Sequence, residues 1–140
     1  MQKIIGVLFI ALALVIGIVP VLTDCLAAGR SLTTTNGMSV PMKCHWTALA
    51  EIGAAVPLAL VGIFSMTSKR KETFRALSGF GGALGALVVL FPTVLIGVCA
   101  NPAMPCNMIE KPALILSGII ALAASVGILL YSRKHLEFGA

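Results

Sequence analysis

The ten-residue stretch MKCHWTALAE gathers side chains that could carry out chemistry. Cys44, His45 and Trp46 are consecutive, and Glu51 follows inside the apolar run that begins there. A thiol, an imidazole and a carboxylate could serve thiol exchange, metal binding or proton transfer. On a helix that starts near Cys44, Thr47 and Glu51 lie on the same face as the thiol. His45 and Trp46 point to other sides.

Glu51 is the residue of this stretch whose burial costs the most free energy, because the apolar run around it is long enough to cross a membrane. A carboxylate at that depth must face the interior of a helix bundle or water, or take up a proton. No basic residue lies inside another apolar run, so a structural hydrogen bond and a proton or cation role both stay open. Trp46 lies at the membrane boundary, a position typical of an interfacial anchor.

The other three cysteines also flank apolar runs. Cys25 follows the first run, Cys99 ends the third and Cys106 precedes the fourth. Each half of the chain therefore contains a helix, a loop with two cysteines and a second helix, and PVLTDC in the first half is similar to PTVLIGVC in the second. We expect two disulfides on an oxidising face, Cys25 with Cys44 and Cys99 with Cys106, each bracing one loop. A crossed pairing between the loops is the alternative.

Two further interpretations use the same loops. Cysteine pairs that stay reducible would indicate a membrane thiol–disulfide oxidoreductase whose redox-active residues are these four thiols, although no CxxC motif is present. Soft donor atoms would instead indicate a copper-handling membrane protein, and the loops offer Met38, Met42, His45, Met104 and Met108. Bridged cysteines would be unavailable as ligands, and we predict neither a bound metal nor another cofactor.

The elements that must position these residues are four apolar runs. The chain is 59% hydrophobic and only 11% charged, with a mean hydropathy of +1.05, more apolar surface than a soluble domain of this length can bury. The runs cover residues 4–22, 46–66, 76–98 and 112–131, each near the ~20 residues that cross a bilayer as a helix. We predict a single all-α integral membrane domain over residues 1–140, with four transmembrane helices arranged as two hairpins.

The distribution of lysine and arginine predicts the orientation. One side carries Lys3, Lys69, Arg70, Lys71, Arg75, Arg133 and Lys134; the other carries Arg30, Lys43 and Lys111. Because basic residues favour the inner side, both termini are expected in the cytoplasm and the loops 24–45 and 99–111 outside the cell membrane. The net charge of +5 mostly reflects this bias, so the bilayer is the expected partner and nucleic acid is not.

A family resemblance adds a functional expectation. The motif Met42, Lys43, Cys44, His45, Trp46 and Thr47, with PTVLIGVC and NPAMPCN further on, resembles a family of small four-helix prokaryotic membrane proteins of unknown function. Members of that family often occur beside genes for ABC-type exporters of the MacB and lipoprotein-releasing kind. The resemblance implies a non-enzymatic accessory or structural subunit of a larger membrane complex, with an ABC-type permease as the candidate partner.

Overall fold

A computed structural model describes residues 2–26, 29–68 and 70–137. It contains the helices α1 (Gln2–Thr23), α2 (Lys43–Thr67), α3 (Lys71–Leu90) and α4 (Lys111–Glu137). The part of the chain described has four helices long and apolar enough to cross a membrane. Of the basic residues used to orient the chain, Lys69 lies outside the described residues, as do the side chains of Lys71, Arg133 and Lys134.

Both helices of the second half are extended by a π-helical turn. Phe91–Leu95 continues α3, and Cys106–Glu110 leads into α4, so helical structure begins six residues before the predicted residue 112. Pro92 explains the first turn, because proline has no N–H to donate to the preceding helical turn. The N–H groups of Ile96 and Gly97 both donate to the carbonyl of Phe91, at 3.1 and 3.0 Å, and the helix ends there.

The helices pack chiefly as two pairs, α1 with α2 and α3 with α4, and the pairs meet around a common core. The largest apolar side chains of this core are fully buried: Phe9, Ile16, Leu58, Val88 and Leu114. The opposite faces of the helices carry exposed large apolar residues, as expected for a bundle whose outer surface contacts lipid.

Each helix pair has a contact that only glycine allows. A Cβ added at Gly62 would lie 2.9 Å from the carbonyl oxygen of Gly6 in α1, and one at Gly118 would lie 2.7 Å from that of Gly85 in α3. Both separations are shorter than a carbon–oxygen contact tolerates. Small residues therefore bring the two backbones of each pair into direct contact, a common way of packing helices in lipid.

The loop between α1 and α2 has its own small structure. The strands β1 (Leu32–Thr33) and β2 (Ser39–Val40) pair antiparallel, a feature absent from the all-α prediction. The turn between them is closed by the N–H of Thr34, which donates to Met38 O at 2.9 Å. Gly37 takes a positive φ of 75° in this turn, a conformation that favours glycine. The hairpin is exposed and contributes no buried residue to the core.

Candidate metal centre

The four cysteines meet in one cluster at the end of the bundle. Cys25 follows α1, Cys44 is in the first turn of α2, Cys99 follows the π-helical end of α3, and Cys106 opens the π-helical turn before α4. All four sulfur atoms lie within 4.8 Å of one another. Cys25, Cys44 and Cys106 are buried, and Cys99 is half-buried.

The expected disulfides are not formed. All four cysteines are described as free thiols, and the shortest separations are 3.3 Å (Cys44 with Cys99), 3.7 Å (Cys25 with Cys106) and 3.9 Å (Cys25 with Cys99). A disulfide bond needs a separation of about 2.05 Å. The three short separations all join the two halves of the chain. The structure thus shows no disulfide at bonding distance, and the converging helix ends bring both pairs of cysteines to one centre.

The separations of the sulfur atoms fit a tetrahedron around one metal ion. Four thiolates bound to Zn²⁺ at about 2.3 Å form a regular tetrahedron whose edges are about 3.8 Å. The three short separations of 3.3 to 3.9 Å lie close to that value. Because every pair of sulfur atoms is separated by at most 4.8 Å, the four sulfur atoms form a compact group and not an extended row.

Two of the four cysteines lie at the start of helical structure. Cys44 is the second residue of α2, and Cys106 is the first residue of the helical structure that continues into α4. The N-terminus of a helix carries a partial positive charge, which stabilises a negative charge placed in the first turn. A thiolate is the form of cysteine that binds metals and attacks disulfides. The fold thus directs two helix N-termini at a group that becomes negatively charged when it reacts.

Cys99 differs from the other three cysteines in exposure and acidity. Burial raises its pKa, but hydrogen bonds from the thiols of Cys44, Cys106 and Cys25 outweigh burial and leave the pKa of Cys99 below that of an ordinary cysteine. The thioether of Met42 lies 3.9 Å from its sulfur. Cys99 is consequently the thiol at which a reagent from solvent would first reach the cluster.

An ion pair holds the two ends of the first loop together. The Nδ1 atom of His45 lies 2.8 Å from Oδ2 of Asp24, and Asp24 Oδ1 accepts a hydrogen bond from the backbone N–H of Leu26 at 3.2 Å. Asp24 precedes Cys25 and His45 follows Cys44, so the pair fixes the spacing of these two thiols. His45, a candidate metal ligand in the sequence, thus has a positioning role beside the cluster.

Hydrogen bonds from side chains to backbone carbonyls, together with a glycine turn, hold the second loop. The hydroxyl of Thr47 donates to the carbonyl of Gly97 at 2.7 Å, which ties α2 to the segment that carries Cys99. Gly97 has a φ of +80°, which turns the chain sharply after the π-helix. The side-chain amide of Asn107 donates to the carbonyl of Cys99 at 3.4 Å. These bonds fix Cys99 relative to Cys44 and Cys106.

The remaining motif and loop residues separate into two groups. Met42 and Met104 pack against the cysteine cluster, and Met42 alone has a sulfur contact with it. Met108 is 66% exposed, and Lys43 and Trp46 are also exposed. The exposure of Trp46 at the start of α2 is compatible with an anchor at the membrane surface. Of the predicted soft donors, only two methionines are therefore at the centre.

Two carboxylates lie in the interior below the cluster. Glu51 and Glu110 are both 0% exposed. Neither oxygen of Glu51 has a hydrogen-bond partner among the described residues, so the structural hydrogen bond, one of the two roles left open for it, is not seen there. Glu110 accepts a hydrogen bond from the hydroxyl of Thr23 at 3.2 Å through Oε2, and its Oε1 has no partner there. Glu110 falls in the predicted outer loop 99–111, so its burial was not expected; the apolar pair before it, Met108 and Ile109, was the available signal that a helix had begun.

Comparison with known proteins identifies a family without an assigned activity. A family model described as a domain of unknown function, DUF4418, matches residues 2–131. No curated protein and no solved structure matches the chain.

Proposed function

Because this chain belongs to the DUF4418 family, to which no activity is assigned, we propose its function from the site itself: it is a metal-binding membrane protein. Cys25, Cys44, Cys99 and Cys106 bind one Zn²⁺ ion as four thiolates. The observation that carries this proposal is the mutual approach of all four sulfur atoms within 4.8 Å. A four-sulfur tetrahedral group is typical of zinc, whereas carboxylate and water ligands are typical of Mg²⁺ or Ca²⁺.

The four-thiolate set favours zinc over the copper that the loop methionines suggested. Met108 is exposed to 66%, and His45 is not among the residues whose ligand atoms meet at the cluster. Cu(I) is also a thiophilic ion, and Met42 adds a soft donor near Cys99. Copper is therefore the ion against which zinc has to be compared in the experiment.

The metal would have a structural role. Four protein ligands complete a tetrahedral site and leave no position for a substrate, as is usual for structural zinc. The ion would join Cys25 and Cys44 of the first half to Cys99 and Cys106 of the second, and so replace the two disulfides as the brace of this end of the bundle. Under the orientation expected from the basic residues, this end faces outward from the cell membrane.

An accessory role in a larger complex fits a closed structural site. The resemblance to a family whose members often occur beside genes for ABC-type exporters supports a permease as the partner. The exposed apolar faces of the helices supply lateral surface that lipid or a partner could cover. The test is affinity purification in a mild detergent with quantitative mass spectrometry: co-purification of one permease in fixed ratio supports the role, and recovery of the protein alone opposes it.

A thiol–disulfide oxidoreductase is the second candidate, favoured by one distance. The sulfur atoms of Cys44 and Cys99 are 3.3 Å apart, and Cys99 is the half-buried member of the pair. In that reaction both thiols lose their protons and a sulfur–sulfur bond forms between them, while two electrons and two protons reduce a disulfide of the partner to thiols. This reaction requires thiols without metal.

One experiment separates the two candidates. The protein is purified from membranes under anaerobic conditions, and zinc, copper and iron are measured per chain by mass spectrometry. Alkylation of the cysteines before and after chelation then reports their state. We expect one zinc per chain and four cysteines that alkylate only after chelation.

Three variants serve as comparisons in the same assay. Cys25→Ser and Cys106→Ser should lose the zinc, whereas Met108→Leu, which changes an exposed thioether, should retain it. Copper in place of zinc would correct the identity of the ion. A metal-free protein with a Cys44–Cys99 bridge that reforms in the presence of an oxidant would reject the metal centre and support the oxidoreductase.

A further inference from the structure

Two carboxylates lie beneath the thiol cluster and take no part in it. Glu51 is seven residues beyond Cys44 in α2, about two helical turns further into the bundle. Glu110 is four residues beyond Cys106 in the helical structure that leads into α4, about one turn further in. Both side chains are fully buried. The same two helices therefore present sulfur at their ends and oxygen just below.

Glu51 lies within electrostatic range of Glu110, and Thr23 is hydrogen-bonded to Glu110. The single hydroxyl proton of Thr23 is shared between the carbonyl of Val19 at 2.8 Å and Glu110 Oε2 at 3.2 Å. The lone pairs of the hydroxyl oxygen remain available for a cation. The group of three side chains thus contains five oxygen atoms.

Three of the four carboxylate oxygens lack any hydrogen-bond partner among the described residues: both of Glu51 and Oε1 of Glu110. Neither carboxylate forms an ion pair there, and the salt bridge of that region joins His45 to Asp24. An unpaired carboxylate in a low-dielectric interior is strongly destabilised, and even a neutral carboxylic acid needs a partner for its O–H. Oxygen atoms buried without partners indicate a missing ligand.

A divalent cation satisfies these oxygens best. It would balance the charges of two carboxylates that otherwise repel each other, and it would use the oxygens that have no other partner. Carboxylate, hydroxyl and water oxygens are the ligands that Mn²⁺, Mg²⁺ and Ca²⁺ prefer, whereas thiolates suit zinc. The chemistry of this group therefore differs from that of the four cysteines.

We propose that Glu51, Glu110 and Thr23 form a second metal site, which binds a hard divalent cation of the Mn²⁺ class through oxygen atoms inside the bundle. Water completes the coordination, since two carboxylates and a hydroxyl supply fewer ligands than such ions require. This site is independent of the thiol centre and stands whether or not the cysteines bind zinc.

The test is a titration of the full-length protein in lipid nanodiscs with Mn²⁺, followed by electron paramagnetic resonance of the free ion. Mn²⁺ is the probe because it favours oxygen over thiolate ligands. The wild type should bind one Mn²⁺ per chain, and more tightly than any of the variants at this site. Glu51→Gln and Glu110→Gln, which keep the shape of the side chain, should abolish that binding. Thr23→Val should weaken it.

The matched control is Glu72→Gln, which changes an exposed glutamate in the first turn of α3 and should bind Mn²⁺ as the wild type does. Cys44→Ser should lose zinc but keep Mn²⁺, so that failure of one site is distinguishable from failure of the other. Retained helical circular dichroism shows that each variant is folded, and Thr23→Val decides the question if both glutamine variants fail to fold.

Two results would overturn the proposal. One is a wild type whose Mn²⁺ binding equals that of Glu51→Gln and Glu110→Gln. The other is an infrared band of a protonated carboxylic acid that disappears in Glu51→Gln but is unchanged by Mn²⁺ in the wild type. That band would show that the pair holds protons as neutral acids and binds no cation.

Discussion

The two loops that carry the cysteines reach the same centre by different means. The first loop runs from Asp24 to Met42, forms its own β-hairpin, and is closed at its base by the ion pair between Asp24 and His45. The second loop is shorter and is closed by backbone features: a π-helical turn at Pro92 and a positive φ at Gly97. Both loops place one cysteine after a helix and another at the start of the next helix.

This difference follows from loop length. A long loop leaves its ends free to separate, and an interaction between side chains at the base opposes the entropy of that separation. A short loop has less freedom, so proline and a glycine turn are enough to direct it. The first loop should therefore depend mainly on the contact between Asp24 and His45, and the second on backbone conformation together with the hydrogen bonds from Thr47 and Asn107.

The largest effect on zinc binding is expected from replacing one cysteine in either half of the chain. Cys44→Ser in the first half and Cys106→Ser in the second should both abolish zinc binding, because each removes one ligand of a four-ligand site. The thermal unfolding midpoint of the wild type should rise with zinc concentration, and those of the variants should not. Zinc analysis and thermal unfolding in detergent measure both effects.

Unequal zinc binding by Cys44→Ser and Cys106→Ser would contradict a metal site shared by the two loops. Retention of zinc by one variant and loss by the other would show that the metal, or a disulfide, belongs to one loop alone. Met104→Leu is the control, since Met104 packs against the cluster without a sulfur contact to it and should leave zinc bound.

The next effect tests whether both helix pairs depend equally on close packing. Gly62→Ala would place a Cβ 2.7 Å from Cγ1 of Ile10, and Gly118→Ala would place one 2.6 Å from Cγ2 of Val89. Each should lower the free energy of unfolding by about 1–3 kcal/mol, the usual cost of overpacking. Unfolding in mixed micelles of sodium dodecyl sulfate measures this change.

Gly53→Ala and Gly127→Ala are the matched controls, because an added Cβ at either position has no neighbour within 4 Å. They should leave stability unchanged or raise it, as alanine is the better helix former. If Gly62→Ala were harmless while Gly118→Ala was not, the first pair would be held mainly by its loop.

How far the sequence predicts these features depends on whether the signal is local. The four helices follow from runs of apolar residues, and the structure confirms four helices long and apolar enough to span a membrane. The cysteine cluster does not follow, because Cys25, Cys44, Cys99 and Cys106 come from two separate loops. Their meeting depends on how the two helix pairs pack, which no local pattern contains.

The ends of the helices are the second place where sequence reasoning fails. The apolar pattern predicts that the fourth helix begins at residue 112, after Pro105, yet Cys106 to Glu110 already form a π-helical turn. That turn carries Glu110 from the expected loop into the interior. Proline is tolerated in the first turn of a helix, so its presence did not decide where the helix starts.

A third prediction tests the backbone control of the second loop. Gly97→Ala should weaken zinc binding and lower stability by about 1–2 kcal/mol, because alanine is strained at a φ of +80°. Gly97→Asn should have a smaller effect, since asparagine tolerates this conformation better. The two variants are compared by competition with a zinc chelator, and equal affinities for wild type and Gly97→Ala would remove Gly97 from the positioning of Cys99.

A smaller effect is expected from the side-chain control of the first loop. Asp24→Asn and His45→Gln break the ion pair and should weaken zinc binding about tenfold, the lower range for residues that orient metal ligands. The double variant should lose no more than either single change, because the two residues act as one interaction. Additive losses in the chelator competition would contradict the pair, and Thr34→Ala in the exposed turn of the β-hairpin serves as the unaffected control.

The smallest effect is a difference between the two loops in the rates at which their cysteines are alkylated. In metal-free reduced protein, Cys99 should react first with iodoacetamide, because it is half-buried while Cys25 of the first loop is 2% exposed. Its lowered pKa keeps it ionised below the ordinary value of 9.0, so its rate should level off at a lower pH than that of a free thiol. Because the pKa of Cys99 is lower in the folded protein than in the unfolded chain, ionisation of this thiol stabilises the folded state. That stabilisation is complete above pH 9.0 and is lost as the pH falls through the pKa of Cys99 in the folded protein. Mass spectrometry of peptides alkylated for increasing times at several pH values gives the four rates, and faster labelling of Cys25 than of Cys99 would show that the first loop, and not the second, opens the cluster to solvent.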